Sequence, residues 1–311
     1  MKSIAVILEK PGSVALQDMV LKAPSQDDVV VAVRYSGIST GTERLLYEGR
    51  MPEFPGMGYP LVPGYEAVGE IVEAGAAATV KVGTSVFVPG AHCFEDARSL
   101  FGASASKLVV NSDRVVPLAP DAGESAVAFA LAATAHHAVA SGSRPDLIIG
   151  HGVLGRLIAR LAILDGEEPP TVWECNPDRQ AGADGYRVIT PAEDERRDYR
   201  AIYDASGDET LLDELVSRLA KGGEIVLAGF YAGRISFAFA PAFMREARFR
   251  TASEWDANDM QAVAQLVASG KLSLEGLVSH VKPASTVAHA YATAFSDADC
   301  LKLALDWRDC Q

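Results

Sequence analysis

The all-apolar run Leu147-Ile148-Ile149 leads directly into Gly150-His151-Gly152-Val153-Leu154-Gly155 and then into a helical pattern through Leu164. A short apolar strand of this kind is buried on both faces, as in a parallel sheet. The glycines between strand and helix have separate duties. Gly150 permits a tight turn, Gly152 lets a pyrophosphate approach the backbone, and Gly155 lets the helix pack on the strand. The phosphate charge then meets the helix N-terminus beside Val153 and Leu154. An acidic residue, Glu174, ends the next strand about 20 residues on, where ribose hydroxyls are its natural partners. A carboxylate there repels a 2′-phosphate, so NAD is favoured over NADP, and Arg179 lies too far along to reverse this. A glycine-rich turn without a nucleotide is the alternative; strand, helix and acid together weigh against it.

The surroundings of this motif predict two domains. A length of 311 residues suits two at roughly 150 each. From Ser3 to about Pro120 short β-rich runs alternate with Gly and Pro: Ile4 to Leu8, Val29 to Val33, Val68 to Val72, Ser85 to Val88 and Lys107 to Val110. They predict a small, mostly antiparallel β-domain. Gly49 to Gly64, dense in Gly, Pro and aromatic residues, is expected to be an ordered loop of the kind that lines sites. After Asp121 come an Ala-rich helix (Glu124 to Ala140), the fingerprint, strands at Thr171 to Cys175, Ala201 to Tyr203 and Glu224 to Leu227, and a helix at Glu209 to Ala220. That alternation predicts a doubly wound α/β domain. Beyond Glu254 an amphipathic helix (Asp256 to Ser269, with Met260, Val263 and Val267 on one face) precedes a strand at Leu277 to Val281, a helix at Thr286 to Phe295 and a strand at Leu301 to Leu305.

Composition excludes some functions. The net charge is −13, whereas a nucleic-acid backbone binder needs a basic excess. Cys93, Cys175, Cys300 and Cys310 form no CxxC pair, which fits a reduced chain and rules out a zinc ribbon. No window approaches the roughly 18 apolar residues of a membrane span, so a cytoplasmic location is expected.

Further features carry a family resemblance: Ser36-Gly37-Ile38, the segment PGYEAVGEIVEAG from Pro63, Thr134-Ala135, the fingerprint itself, Asn176 to Arg179, Asp204-Ala205-Ser206-Gly207, and KGGEIVLAG from Lys221 to Gly229. In these the chain resembles the medium-chain dehydrogenase/reductases over essentially its whole length. The stretch GISTGTERLLYEGRMPEFPGMGYPLVPGYE is similar to the branch that acts in bacteriochlorophyll synthesis. The resemblance implies a Rossmann NAD-binding domain at 123–254, inserted in a GroES-like, mostly β catalytic domain at 1–122 and 255–311. Ser206 and Gly229 join the cofactor site on the same grounds. It also implies oxidation of the 3-(1-hydroxyethyl) group of a bacteriochlorophyllide or chlorophyllide to 3-acetyl, a tetrapyrrole substrate, and a homodimer paired through Arg234 to Thr251. A zinc-free quinone or enone reductase and a non-catalytic nucleotide-binding sensor or pigment carrier are the competing functions.

Zinc-dependent members of that family carry a Cys after the SGI element, a His-Glu pair after Pro-Gly, and a third ligand before Thr134. This chain has Ser39 and Thr40, Tyr65, and an alanine near Ala130. Neutral hydroxyls do not supply the three good N, S or O ligands zinc requires, so a metal-free site is expected. A ketone conjugated with a macrocycle lowers the demand for a Lewis acid, leaving hydrogen bonding and a proton relay to do its work. By family position Thr42 matches the hydroxyl that begins the relay, a turn residue being the alternative. Tyr65 points where a metal would sit, although a phenol of ordinary pKa near 10 is a poor base. Glu66 holds the site together or is a buried structural carboxylate, Glu43 reads as a surface or loop-anchoring charge, and His137 or His136 either shuttles a proton or is structural. Tyr47, Met51, Phe54, Met57, Tyr59 and Trp255 are candidate walls of a broad flat pocket. Arg44 or Arg50 is a candidate partner for a propionate.

Overall fold

The computed structural model describes residues 1–310 apart from Phe54 and Asp165. In chain order the first segment holds strands β1 (Lys2–Ile7), β2 (Ala15–Val20), β3 (Asp28–Ile38), β4 (Leu61–Pro63), β5 (Ala67–Ala74), β6 (Ser85–Val88), β7 (Arg98–Leu100), β8 (Lys107–Asn111) and β9 (Val116–Pro117), with helix α1 (Thr42–Glu48) after β3. Helix α2 (Phe129–Ala140) follows. The middle segment holds β10 (Leu147–Ile149), α3 (Val153–Ala162), β11 (Thr171–Trp173), α4 (Pro177–Gln180), β12 (Arg187–Ile189), β13 (Tyr199–Asp204), α5 (Leu212–Arg218), β14 (Leu219–Leu227), α6 (Phe239–Arg245), β15 (Arg248–Thr251) and α7 (Ala257–Ala268). The chain then returns with β16 (His280–Pro283), α8 (Val287–Ser296) and β17 (Leu303–Asp306).

Two compact units result: Met1–Ala130 with Leu274–Gln311, and Leu131–Ser273. The first is built on a sheet of order β16-β17-β3-β5-β6-β9, with β8 also on β3. Strand β3 is central, and Val29, Val30, Val31 and Val33 are all buried, so it reads as a continuous apolar run rather than an alternating one. The C-terminal strand β17 lies antiparallel to β3, pairing Leu305 with Ser36. The C-terminal return therefore builds one side of this sheet, with β16 at the edge and β17 against the central β3.

The second unit is an all-parallel six-stranded sheet of order β12-β11-β10-β13-β14-β15. The order reverses beside β10, which opens a crevice at the carboxyl ends of β10 and β13. These architectures are the α/β fold class expected from the sequence. The unit borders fall later than 122 and 254. Asp259 on α7 binds His136 and His137 on α2 at 2.7 Å each, so α7 packs with the parallel-sheet unit instead of opening the C-terminal return. The expected helix at 124–140 begins as a 3₁₀ turn over Glu124–Ala128 before α2, a common form of helix start. Of the face expected on α7, Met260 and Val263 are buried and Val267 is half-buried.

Candidate active site

In the parallel-sheet unit, Gly150 takes a left-handed backbone (φ 91°) and donates its N–H to the Trp173 carbonyl at 2.8 Å. A Cβ on Gly155 would lie 1.9 Å from the Gly150 carbonyl oxygen, so helix and turn pack at a distance only glycine allows. Gly152 is the N-cap of α3, its side is open, and no side chain caps the helix. The first N–H groups of α3 are thus left to an anionic ligand, and the turn fits a dinucleotide pyrophosphate. Glu174 follows β11 and accepts the His151 N–H at 3.0 Å on one carboxylate oxygen and the Asn176 N–H at 2.8 Å on the other. Each oxygen keeps a lone pair for a ribose hydroxyl.

Two residues not singled out from the sequence brace this turn. His151 is fully buried, with Nδ1 2.6 Å from the Arg179 carbonyl and Nε2 2.8 Å from the Tyr186 hydroxyl. Burial pushes its imidazole down to about 4, so it is neutral, donating at Nδ1 and accepting at Nε2. Arg156 of α3 donates to the carbonyls of His151 at 3.0 Å, Arg179 at 3.1 Å and Ala181 at 2.8 Å. Arg179, a candidate cofactor-site residue, ties the 179–182 loop to the fingerprint through its backbone carbonyl. An arginine on an otherwise apolar helix face was the available signal. At the ends of β13 and β14, Ser206 donates its N–H and hydroxyl to Asp204 at 2.8 and 2.6 Å, and the Gly229 N–H reaches the Asp204 carbonyl at 2.8 Å. A Cβ on Gly150 would stand 3.5 Å from the Ser206 backbone, which puts Ser206 against the fingerprint turn.

In the other unit, antiparallel pairing of Ser36 with Ala67 brings the end of β3 beside the start of β5, so residues 39 and 65 meet. The Tyr65 hydroxyl donates to Ser39 Oγ at 2.8 Å, and the Thr42 hydroxyl also bonds Tyr65. Burial, with Glu66 nearby, holds the phenol far above its ordinary pKa. Tyr65 is therefore a neutral hydrogen-bonding group and not a base. Its ring meets Phe101 edge to face, centroids 5.6 Å apart.

Behind this pair sits a buried charged cluster. Lys302 Nζ lies 2.5 Å from Glu66 Oε2, and Glu66 Oε1 has no hydrogen-bond partner among the described residues. A Cβ on Gly37 would come within 2.4 Å of Glu66 Oε2, so only glycine leaves the carboxylate room. Glu43, in the first turn of α1, accepts the Tyr291 hydroxyl of α8 and the Ser39 N–H. It is buried, which corrects its reading as a surface charge, while its bond from the Ser39 N–H fits the loop-anchoring alternative; α8 closes over it. Burial raises its carboxyl to about 7. One ammonium thus faces two carboxyl groups, and protonating Glu43 balances the cluster.

The remaining candidates are distributed as follows. Tyr47 packs on Tyr291 and Phe295 with centroids 5.8 and 5.6 Å away, and its hydroxyl donates to the Gly12 carbonyl at 3.2 Å. Tyr59 donates to the Leu46 carbonyl. Both therefore fasten the loop and α1, which corrects their assignment to an open pocket wall, and Met51 is buried in the same core. Met57 accepts Arg98 on its carbonyl. Phe54 lies outside the described residues, and Trp255 is half-buried just before α7 in the parallel-sheet unit. Arg44 and Arg50 both pair with Glu48, at 2.7 and 2.9 Å, as exposed side chains, which fits the alternative of surface arginines. His137 shares Asp259 with His136; the pair clamps α2 to α7, a structural duty that displaces the proposed proton shuttle.

Fold and site together define an alcohol-type dehydrogenase, whose class uses a nicotinamide dinucleotide. Residues 25–121 match the alcohol dehydrogenase GroES-like domain. The chain is 57% identical over 315 residues, spanning 99% of each protein, to the 2-desacetyl-2-hydroxyethyl bacteriochlorophyllide A dehydrogenase of Cereibacter sphaeroides. It is 53% identical over 312 residues, again 99% of each, to that of Rhodobacter capsulatus. The crystal structure of L-idonate 5-dehydrogenase from Escherichia coli superimposes with a TM-score of 0.85 at 17% identity, covering 98% of both chains, a likeness of fold. The chain belongs to the medium-chain dehydrogenase/reductase family, in the branch of these bacteriochlorophyllide dehydrogenases.

Proposed function

We propose that this chain oxidises the hydroxyethyl carbinol of a bacteriochlorophyllide to the acetyl ketone, with NAD as hydride acceptor and no metal ion. The carrying observation is the Tyr65 to Ser39 hydrogen bond of 2.8 Å, which joins two hydroxyls at positions where zinc-dependent relatives hold ligands. Hydroxyls paired with each other are poor zinc ligands but good partners for an alcohol oxygen. A nicotinamide dinucleotide held by the Gly150 to Gly155 turn and Glu174 would supply the acceptor for the hydride that leaves the carbinol carbon. The carbinol C–H and O–H bonds break, the C=O bond forms, and the hydroxyl proton leaves through Ser39 and Thr42 to water. Tyr65 stays protonated throughout and orients Ser39. Conjugation of the new carbonyl with the ring stabilises the product and replaces the charge a metal would lend. Glu174 supports NAD over NADP by facing the ribose edge with a carboxylate.

The test is to mix purified protein with NAD and hydroxyethyl bacteriochlorophyllide, with and without a zinc chelator, and follow the red shift of the acetyl pigment. Turnover unaffected by the chelator supports the proposal. No shift with competent substrate, or activity lost to the chelator and restored by zinc, overturns it.

We also infer a homodimer through β15. This strand ends the parallel sheet with one edge unpaired among the described residues, and beside it Phe239, Phe243 and Met244 of α6 are 73, 65 and 71% exposed. Such a patch next to an open edge favours a second copy. Light scattering giving a dimer that Phe243→Asp dissociates supports it; a monomeric wild type refutes it.

A further inference from the structure

A recess of about 410 Å³ opens in the first unit, lined by Pro55, Gly56, His92, Arg98, Ser99, Leu100 and Phe101. It stands at the small end of the roughly 300–1,000 Å³ usual for ligand sites, so it takes an edge of a large ring and not the whole of it. Its far wall is Phe101, the ring packed against Tyr65. Its near wall is Arg98, the first residue of β7, which pairs with Leu61 of β4. β4 leads within two residues to Tyr65, so one short strand pair positions both the hydroxyl site and the arginine.

Arg98 is the available cation here. Its Nη1 donates to the Met57 carbonyl at 2.6 Å. No carboxylate of a described residue pairs with it, although Glu95 and Asp96 stand just before β7. The Nε and Nη2 edge is left for a two-pronged bond to a carboxylate. The neighbourhood is positive as well: Lys22 Nζ donates to the His92 carbonyl at 3.0 Å, and burial first, with the nearby Arg114 and Lys22 charges adding to it, holds the His92 imidazole below its ordinary pKa. In a chain of net charge −13, which repels anions at long range, such a patch selects for a local negative group.

We propose that this recess receives the free propionate of the tetrapyrrole, with Arg98 as the specificity-determining residue that pairs with its carboxylate. This rests on the tetrapyrrole substrate proposed above. A bacteriochlorophyllide carries an unesterified propionate, an anion at neutral pH, on a flat apolar ring. Phe101 and Leu100 suit the ring edge and Arg98 suits the acid.

The experiment compares hydroxyethyl bacteriochlorophyllide with its methyl ester, by pigment fluorescence for equilibrium binding and by turnover for KM and kcat, in wild type, Arg98→Gln and Arg98→Lys. The free acid is expected to bind wild type at least tenfold more tightly than the ester. Arg98→Gln should weaken the acid at least tenfold, leave the ester within twofold and spare kcat, with Arg98→Lys in between. Equal binding of acid and ester by wild type overturns the proposal. So does an equal loss for both in Arg98→Gln, the signature of a loop merely loosened from the Met57 carbonyl. Binding that discriminates acid from ester while no oxidation occurs would uphold this site and sink the proposed reaction instead.

Discussion

Lys302 and Glu66 form a buried ion pair, Nζ to Oε2 2.5 Å, with the two side chains 2 and 1% exposed. Removing one member of such a pair strands the other charge at a cost of about 3–5 kcal/mol. Lys302→Met is expected to lower unfolding stability by that amount, and the double variant Lys302→Met with Glu66→Gln to recover most of it. Urea denaturation of these two variants and of Glu66→Gln alone measures the coupling; additive losses would show that the pair does not act as a unit.

Glu43 gives stability a pH dependence of definite sign. Its carboxyl rises from 4.5 to about 7 on folding, chiefly through burial, so the folded state holds the proton more tightly. That contribution is full below about pH 4.5 and is lost as pH rises through 7, an effect on the order of 3 kcal/mol. Glu43→Gln keeps an acceptor for Tyr291 and removes the titration. It is expected to flatten melting temperature between pH 5 and 8 and to melt higher than wild type at pH 8.

Hydroxyl chemistry at the reacting centre predicts a specific kinetic loss. Tyr65→Phe removes the donor to Ser39, and Thr42→Val removes a relay hydroxyl. Each is expected to lower kcat by about 10²-fold while leaving the Kd for NAD unchanged. Full turnover by Thr42→Val would remove that residue from the mechanism.

Glu174 serves both the ribose edge and the fingerprint backbone. Glu174→Ala is expected to weaken NAD roughly tenfold or more, the worth of a charged hydrogen bond, and to spare NADP. It also loses about 1–2 kcal/mol of stability, because the His151 and Asn176 N–H groups lose their acceptor. Isothermal titration and thermal melts read the two effects separately.

The parallel-sheet unit was legible because its signals are local. An apolar triplet at 147–149, glycines at fixed offsets and an acid after the next strand all lie within one βαβ stretch. The hydroxyl pair Ser39 and Tyr65 could be anticipated from position alone, though not the bond between them. Glu43, Tyr291, Lys302 and Arg98 escaped. Nothing in a linear pattern says that Tyr291, 248 positions away, closes over Glu43, and an arginine in a loop looks the same whether solvated or facing a recess. Boundaries also moved where tertiary contacts decide them, as with α7, drawn into the second unit by one aspartate between two histidines.

The return of the C-terminal segment to the side of β3 in the first sheet sets the order in which this core can close. Trp307 donates to Ser36 at 2.8 Å, Lys302 neutralises Glu66, and Tyr291 covers Glu43. A nascent chain that has already made its hydroxyl site therefore carries two bare acids in a half-built core. Only with the C-terminal segment in place can that core close, so a copy ending before Tyr291 leaves Glu43 and Glu66 without the groups that cover and neutralise them.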